Sequence, residues 1–275
     1  MALAATSTLL FAASSDSSSD YTIVEKGPHH RIFQRVIETD DGTTQTNAFT
    51  ELQTGLHYWL NGAWTESREE IVVTADGAQA VQGQHQAHFG VNANSTGVIA
   101  LTLPSGEVQS SHLLGLNYYD AEANETVWVA LLTNSPGQLF PPNQVLYPGA
   151  LRGQATVCDL RYTYTKAGLE QDVIIRTALP DPSLLNLNPE TTWVQAVSEF
   201  VSGPEPTILS RTVIAGEVED QEIEFGVMRL ARGKAFVLGE EEPAVSVARR
   251  WRVTDGRRLL VEAVRVRRCP ALMAG

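Results

Sequence analysis

The stretch LHYWLNGAWTES (residues 56–67) contains two short runs of apolar and aromatic residues joined by Asn61-Gly62. An Asn-Gly pair readily adopts the positive φ angles that a type I′ turn requires at both central positions, and this turn matches the twist of two antiparallel strands. The stretch therefore predicts a β-hairpin. Three further Asx-Gly pairs lie between runs of alternating polarity and predict hairpins in the same way: Asp41-Gly42, Asp76-Gly77 and Asp255-Gly256.

Short runs of alternating polarity, separated by turn residues, recur along the chain from about residue 20. This spacing is typical of an antiparallel sandwich or barrel. The best helical candidate is DPSLLNLNPE (residues 181–190), where Pro189 would end a helix within two turns. We predict an all-β fold, a large antiparallel β-sandwich built from successive hairpins, with or without a small second β lobe.

Three proline-containing segments (134–144, 179–192 and 202–207) are predicted to be loops or sheet edges, because proline cannot donate to a strand ladder. The last of them precedes a change in charge pattern. We therefore predict a main β-sandwich over residues 20–204. A C-terminal β segment over residues 205–275 either packs on this body or forms a small second lobe.

The two ends of the chain suggest that the natural protein extends further. Residues 1–19 run from small apolar residues into a Ser/Asp tract, which predicts the remnant of a secretory leader or a disordered spacer. The strong strand pattern of residues 258–268 is followed by only CPALMAG, without a capping element. We expect a truncated C-terminus.

The chain carries a formal net charge of −12, and acidic residues predominate up to residue 204. Such a body is poorly suited to following a phosphate backbone over a broad surface, so we predict that nucleic acid is not a partner. No run of about 18 apolar residues occurs, so no transmembrane segment is predicted.

Arginines are concentrated in the last predicted hairpin, next to an acidic stretch between residues 217 and 242. They either pair with those carboxylates on adjacent strands or form a basic docking surface. The arginines are Arg249, Arg250, Arg252, Arg257, Arg258, Arg265, Arg267 and Arg268.

Metal and thiol chemistry receives little support from the sequence. In GQHQAHFG (residues 83–90) a strand would point His85 and His88 to opposite faces, where they cannot bind one ion. Cys158 alternates with polar residues and is predicted to be a buried structural cysteine, and Cys269 lies far from it in sequence. We predict no metal and no cofactor.

Nucleophile and phosphate-binding motifs such as G-x-S-x-G and the Walker loop do not occur in the sequence. A pair of carboxylates is the remaining catalytic option. The candidates are Asp120, Glu122, Glu125, Asp172 and Glu199, and a solvated turn or a polar strand face explains each of them. Whether the protein is an enzyme stays open, and the sequence favours a non-enzymatic protein.

Aromatic residues provide the candidate binding site. Tyr58-Trp59 and Tyr118-Tyr119 are adjacent pairs, so on a strand one ring of each pair faces away from the other. Either both faces of the sheet are covered there or one ring is exposed, and exposed rings beside amides can stack on sugars. The candidate stacking residues are Tyr58, Trp59, Trp64, Tyr118, Tyr119 and Trp128.

Four stretches of the chain resemble the β-rich N-terminal segment of large uncharacterised secreted bacterial proteins, some of which continue into RHS/YD-type repeats. The resemblance covers about residues 20–265 and implies an extracytoplasmic setting and a longer natural chain. It implies no activity, cofactor or catalytic residue. The stretches are FTELQTGLHYWLNGAWTESREEI (49–71), HLLGLNYYDAEANETVWVALL (112–132), NQVLYPGAL (143–151) and LRYTYTKAGLEQDVIIR (160–176).

These observations lead to two hypotheses. The first is a non-enzymatic structural or interaction module of a secreted or surface-associated bacterial protein, whose partners are other domains of a longer chain or cell-surface components. The second is a carbohydrate-binding or glycosidase-like β-sandwich protein with a glycan as ligand. Both hypotheses place the protein outside the cell or on its surface.

Overall fold

The computed structural model describes the backbone of residues 21–213 and 218–272, so the predicted leader or spacer over residues 1–19 lies outside the described residues. The fold of the described part is all-β, as the hairpin series predicts. Its strands are β1 (Thr22–Lys26), β2 (His30–Glu38), β3 (Thr44–Leu52), β4 (His57–Leu60), β5 (Ala63–Glu66), β6 (Val72–Thr74), β7 (Gly77–Ala80), β8 (Gln86–Gly90), β9 (Ile99–Thr102), β10 (Val108–Asp120), β11 (Glu125–Leu132), β12 (Gln138–Phe140), β13 (Gln144–Arg152), β14 (Val157–Thr165), β15 (Gly168–Ile175), β16 (Thr192–Ser202), β17 (Thr207–Val213), β18 (Val218–Phe225), β19 (Met228–Arg229), β20 (Lys234–Val237), β21 (Glu240–Ser246), β22 (Ala248–Thr254) and β23 (Arg257–Arg265).

Helical structure among the described residues is limited to three 3-10 turns: Pro182–Leu185, Val266–Arg268 and Pro270–Leu272. The first lies in the segment predicted to hold at most a short helix. Asp181 caps this turn by accepting the backbone N–H of Ser183 at 2.8 Å. No helix in the described ranges has the length and apolar character needed to cross a membrane.

Strand β10 determines how the large sheet is arranged, because three strands pair with it. On one edge, residues 108–111 pair with β9 and residues 115–120 pair with β11. On the other edge, residues 110–120 pair with β16. The sheet therefore divides at β10 into a layer of β6–β9 and a layer of β11–β15.

The two layers pack face to face around the main hydrophobic core. Phe89 of β8 contacts Tyr162 of β14, with ring centroids 6.0 Å apart. The buried hydroxyl of Tyr147 donates to the carbonyl of Gly90 at 2.6 Å, so its polar atom is satisfied across the layers. This packing is the sandwich that the alternating pattern predicts.

Two of the predicted type I′ turns are confirmed by their backbone angles. Asn61-Gly62 has φ angles of 50° and 84°, and Asp255-Gly256 has 51° and 74°. Asp41-Gly42 lies in the loop between β2 and β3, whose last paired residues are Glu38 and Thr44.

The prediction of a turn at Asp76-Gly77 is wrong by one residue. Gly77 already pairs with Thr74, so the turn consists of Ala75 and Asp76. A Cβ on Gly77 would lie 2.0 Å from the carbonyl oxygen of Phe89. Glycine is needed at position 77 for this close approach of β8 and for its φ angle of 142°.

The C-terminal segment is divided between sheets. Its last hairpin, β22–β23, extends the large sheet because β23 pairs with β16. Strands β17–β19 and β20–β21 form separate small sheets. Another hydrophobic cluster packs β18 against β16 and β22, and it includes Phe200, Ile223, Phe225 and Trp251.

Candidate functional site

The six rings proposed from the sequence lie in two places, and the first is the β4–β5 hairpin. Trp59 is 61% exposed and pairs across the hairpin with Trp64, ring edge to ring face at 5.0 Å. Tyr58 is half-buried and, as the neighbour of Trp59 on the strand, points to the other face of the hairpin. The two tryptophans contact each other rather than forming a broad surface.

Tyr118 is not available for stacking, which corrects its inclusion among the candidates. Its ring is fully buried in the cluster with Leu179 and Leu187, and its hydroxyl donates to the carbonyl of Pro180 at 2.7 Å. Burial raises the pKa of this hydroxyl. The loop after β15 covers this face of β10, so Tyr118 belongs to the core.

Tyr119 and Trp128 lie on the opposite, solvent-facing side of the same strands. Tyr119 pairs with Trp193 of β16, and Trp128 of β11 pairs with Asn117, two residues before Tyr119 on β10. Directly opposed residues share a face, as do residues two apart, so all three rings project from one side of the sheet. We call Tyr119, Trp128 and Trp193 the aromatic platform.

The aromatic platform spans three adjacent strands, β11, β10 and β16. With strands about 4.8 Å apart and a rise of about 3.4 Å per residue, Trp128 and Trp193 are separated by roughly 12 Å. Trp128 is 44% exposed, and Tyr119 and Trp193 are half-buried. Part of each apolar ring is therefore exposed to solvent, and the rest is packed on the sheet.

Two side-chain amides lie among the rings. Asn117 of β10 pairs with Gln195 of β16. Asn117 lies two residues before Tyr119, and Gln195 lies two residues after Trp193. Asn117 is buried, and its Oδ1 atom has no hydrogen-bond partner. Buried polar atoms are nearly always paired, so this acceptor, beside Trp128, is a notable exception.

Local features of β10 and β11 determine where the rings lie. A Cβ on Gly115 would lie 3.2 Å from Cζ3 of Trp128, so the indole extends over a position that carries no side chain. The hydroxyl of Tyr119 donates to Oδ1 of Asn124 at 3.2 Å. The guanidinium of Arg265 lies 5.0 Å from the ring centroid of Trp193, within the range of a cation–π interaction.

Asp120 is the last residue of β10 and connects the end of this strand to the neighbouring loops by hydrogen bonds. Its carboxylate accepts the Thr191 hydroxyl at 2.6 Å and the backbone N–H groups of Asn188 and Glu122 at 2.8 and 3.0 Å. These bonds, that of Thr191 first, lower the pKa of Asp120 to about 2. The carboxylate is saturated with donors, which is the arrangement of a structural residue.

The other carboxylates proposed from the sequence have separate partners. Asp172 accepts two bonds from Arg161, at 3.0 and 2.9 Å. Glu199 accepts two bonds from Arg257, at 2.7 and 2.6 Å, and lies 3.5 Å from His112. The side chain of Arg257, by hydrogen bonding and charge, lowers the pKa of Glu199.

The remaining two carboxylates lie at the turn between β10 and β11. Glu122 Oε2 accepts the side-chain amide of Asn188 at 3.2 Å, and Glu125 is exposed at the start of β11.

The two histidines of residues 83–90 have different surroundings. His85 lies before β8 and is buried, with its ring 4.9 Å from that of Tyr164, and burial lowers its pKa. His88 lies on β8 with Nε2 3.6 Å from Asp76. Among the residues whose side chains the structure describes (21–209, 220–240 and 244–272), no group of three or more His, Cys, Asp and Glu residues is arranged to hold a metal ion.

A groove of about 380 Å³ lies away from the platform. Its charged side chains have local partners: Lys166 is 3.9 Å from Glu66, and Arg68 is 4.0 Å from Glu70. It is lined by Gln53, Ser67, Arg68, Glu69, Glu70, Pro142 and Lys166.

Tyr119 and Trp128 of the aromatic platform are among the residues predicted from the sequence, whereas Trp193, Asn117 and Gln195 are not. The segment TTWVQAV (residues 191–197) alternates in polarity, which would place Trp193 and Gln195 on one strand face. This alternation does not predict that β16 pairs with β10, because that pairing is set by long-range packing.

Comparison with known proteins does not add a family to this description. No protein-family model, no curated protein and no solved structure matches the chain.

Proposed function

We propose that the protein is an interaction module that binds carbohydrate on the aromatic platform. The observation that carries this proposal is the presence of Tyr119, Trp128 and Trp193 on one sheet face, with Asn117 and Gln195 between them. Apolar faces of sugar rings stack on aromatic side chains, while amides exchange hydrogen bonds with hydroxyl groups.

The shape of the site favours an extended ligand. Flat strands present the rings side by side over roughly 12 Å, so several units of a glycan chain can lie across them. Four of the five candidate carboxylates accept bonds from arginine, amide, hydroxyl or backbone donors, which favours a binding function over the glycosidase-like alternative. A setting outside the cell or on its surface, which the resemblance implies, is part of the same proposal.

The proposal is tested by screening the purified chain on a glycan array and measuring its best ligand by calorimetry. Removing the ring in Trp128→Ala loses about 1.5–3 kcal/mol of apolar contact, so we expect affinity to fall roughly tenfold to a hundredfold. Because Trp128 is 44% exposed, the thermal midpoint should change little.

Trp59→Ala is the matched control, since Trp59 is the more exposed tryptophan but lies on the β4–β5 hairpin. It should bind as the parent protein does. An array without a binder, or equal affinity of Trp128→Ala and the parent, would rule out the proposal.

A further inference from the structure

The arginines of the last hairpin divide according to their partners. At least four of them have acidic partners: Arg249 with Asp220 at 2.9 Å, Arg257 with Glu199 at 2.6 Å, Arg258 with Glu205 at 3.3 Å, and Arg267 with Glu190 at 3.7 Å. Arg250 and Arg252 are exposed, and within the described parts of the chain no carboxylate lies within ion-pair distance of either. Because both side chains are exposed, an external anion can approach them.

Strand register places both of these arginines on the face of the aromatic platform. Arg250 pairs with Val261 of β23, and Val261 pairs with Val197, two residues after Gln195 on β16. Arg252 follows Arg250 by two residues and so points the same way. Their neighbours on the other face, Arg249 and Trp251, are buried.

The platform and the arginines thus lie on the same face of five neighbouring strands, β11, β10, β16, β23 and β22. Arg265 of β23 lies directly beside Trp193 and joins the rings to the arginine-bearing edge. The carboxylate of Glu199 also faces this side, and Arg257 neutralises it with two hydrogen bonds. This face therefore combines aromatic rings with guanidinium groups, in a chain whose formal net charge is −12.

We infer that the ligand of this surface is an anionic polysaccharide, one that carries uronic-acid carboxylates or sulfate groups. The inference rests on the proposed function and specifies its ligand class. Sugar rings of such a chain stack on Trp128, Tyr119 and Trp193, and its anionic groups reach Arg250 and Arg252 across β23 and β22. Guanidinium groups suit this role because they bind carboxylate and sulfate with two parallel hydrogen bonds.

A single-stranded nucleic acid also combines flat rings with negative charge. The acidic balance of the whole chain opposes the close approach of a long, densely charged phosphate backbone. The half-buried amide of Gln195, which lies beside the rings, matches a ligand rich in hydroxyl groups. A polysaccharide is therefore the occupant that the surface favours.

The test uses pairs of polysaccharides that share a backbone and differ in charge. The probes are polygalacturonate and its methyl ester, dextran sulfate and dextran, and a thymidine oligonucleotide, with calorimetry at two salt concentrations. We expect the acidic member of at least one pair to bind at least tenfold more tightly than its neutral partner, and to weaken as salt rises.

The variants separate the charged part of the surface from its aromatic part. Arg250→Gln/Arg252→Gln should weaken binding of the acidic member about three- to tenfold and leave the neutral member unchanged. Trp128→Ala should weaken both members. Arg68→Gln, which changes an exposed arginine near the groove, is the matched control and should behave as the parent.

Each outcome distinguishes the inference from the function on which it rests. Equal or tighter binding of the neutral members would overturn the inference and leave the proposed function in place. Binding of acidic members that Trp128→Ala does not weaken, or tighter binding of the oligonucleotide, would overturn both. The absence of binding to every probe would also overturn the inference.

Discussion

The ion pair between Arg249 and Asp220 is expected to be the most important single polar contact of the C-terminal segment. Arg249 is 2% exposed and Asp220 is 6% exposed. Asp220 accepts Nε and Nη2 of Arg249 at 3.1 and 2.9 Å and also its backbone N–H at 2.9 Å. Nη1 of Arg249 donates to the carbonyls of Leu230 and Ala231. One residue of β22 is thereby fastened to β18 and to the chain after β19.

Removing one partner leaves the other charge buried without compensation, which typically costs about 3–5 kcal/mol. We expect Arg249→Met to lower the free energy of unfolding by this amount, a large part of the roughly 5–15 kcal/mol of an ordinary domain. In a chain of this size the thermal midpoint should fall by roughly 6–20 °C. Burial raises the pKa of the neighbouring Glu262 and Arg249 opposes that shift, so the pKa of Glu262 should rise further in the variant.

The double variant Arg249→Met/Asp220→Leu removes both charges and fills the space with apolar side chains. It should regain most of the lost stability, because a buried ion pair and a packed apolar pair are often of similar stability. Urea denaturation of the four proteins, followed by circular dichroism and by the fluorescence of buried Trp251, gives the coupling energy. A cost of less than 1 kcal/mol for the single variant, or a double variant as unstable as the sum of both singles, would refute the reasoning.

Two further predictions follow from perturbed pKa values. The bonds to Asp120 lower its pKa from 3.8 to about 2, so they stabilise the fold above about pH 4, and this contribution is lost as pH falls towards 2. Thr191→Val should therefore unfold at a higher pH than the parent in an acid titration followed by circular dichroism, whereas Thr191→Ser should not; identical acid midpoints would contradict this. Burial raises the pKa of the Cys158 thiol to about 12, so in a Cys269→Ser variant a thiol reagent at pH 8 should label Cys158 only after unfolding. Labelling of the folded variant at the unfolded rate would show that Cys158 is accessible.

The hairpins could be predicted from sequence because the conformations of their turns are local. Asn61-Gly62 and Asp255-Gly256 adopt positive φ angles wherever the flanking strands lie. The turn at Asp76-Gly77 was misplaced because the requirement at Gly77 comes from the backbone of Phe89 in the next strand. A long-range contact of this kind leaves no local signal.

The candidate site could be predicted only in part for the same reason. Alternation shows that Tyr118 and Tyr119 face opposite sides, but it does not show which side the loop containing Leu179 covers. Trp193 joins the platform through the register of β16 on β10, and the two strands are separated by five other strands in sequence. The alternation of polarity along a strand thus shows which side of that strand a ring points to. Pairing between strands decides which rings become neighbours.

The position of β10 between two layers has a consequence for synthesis of the chain. One edge of β10 is completed by β9 and β11 as these strands are made, but its other edge stays open until residues 192–202 emerge as β16. During that interval a long strand with unpaired backbone groups can pair with another chain. Fragments ending before residue 192 should therefore aggregate, and protection of the outer edge of β16 also requires β23, which pairs with it.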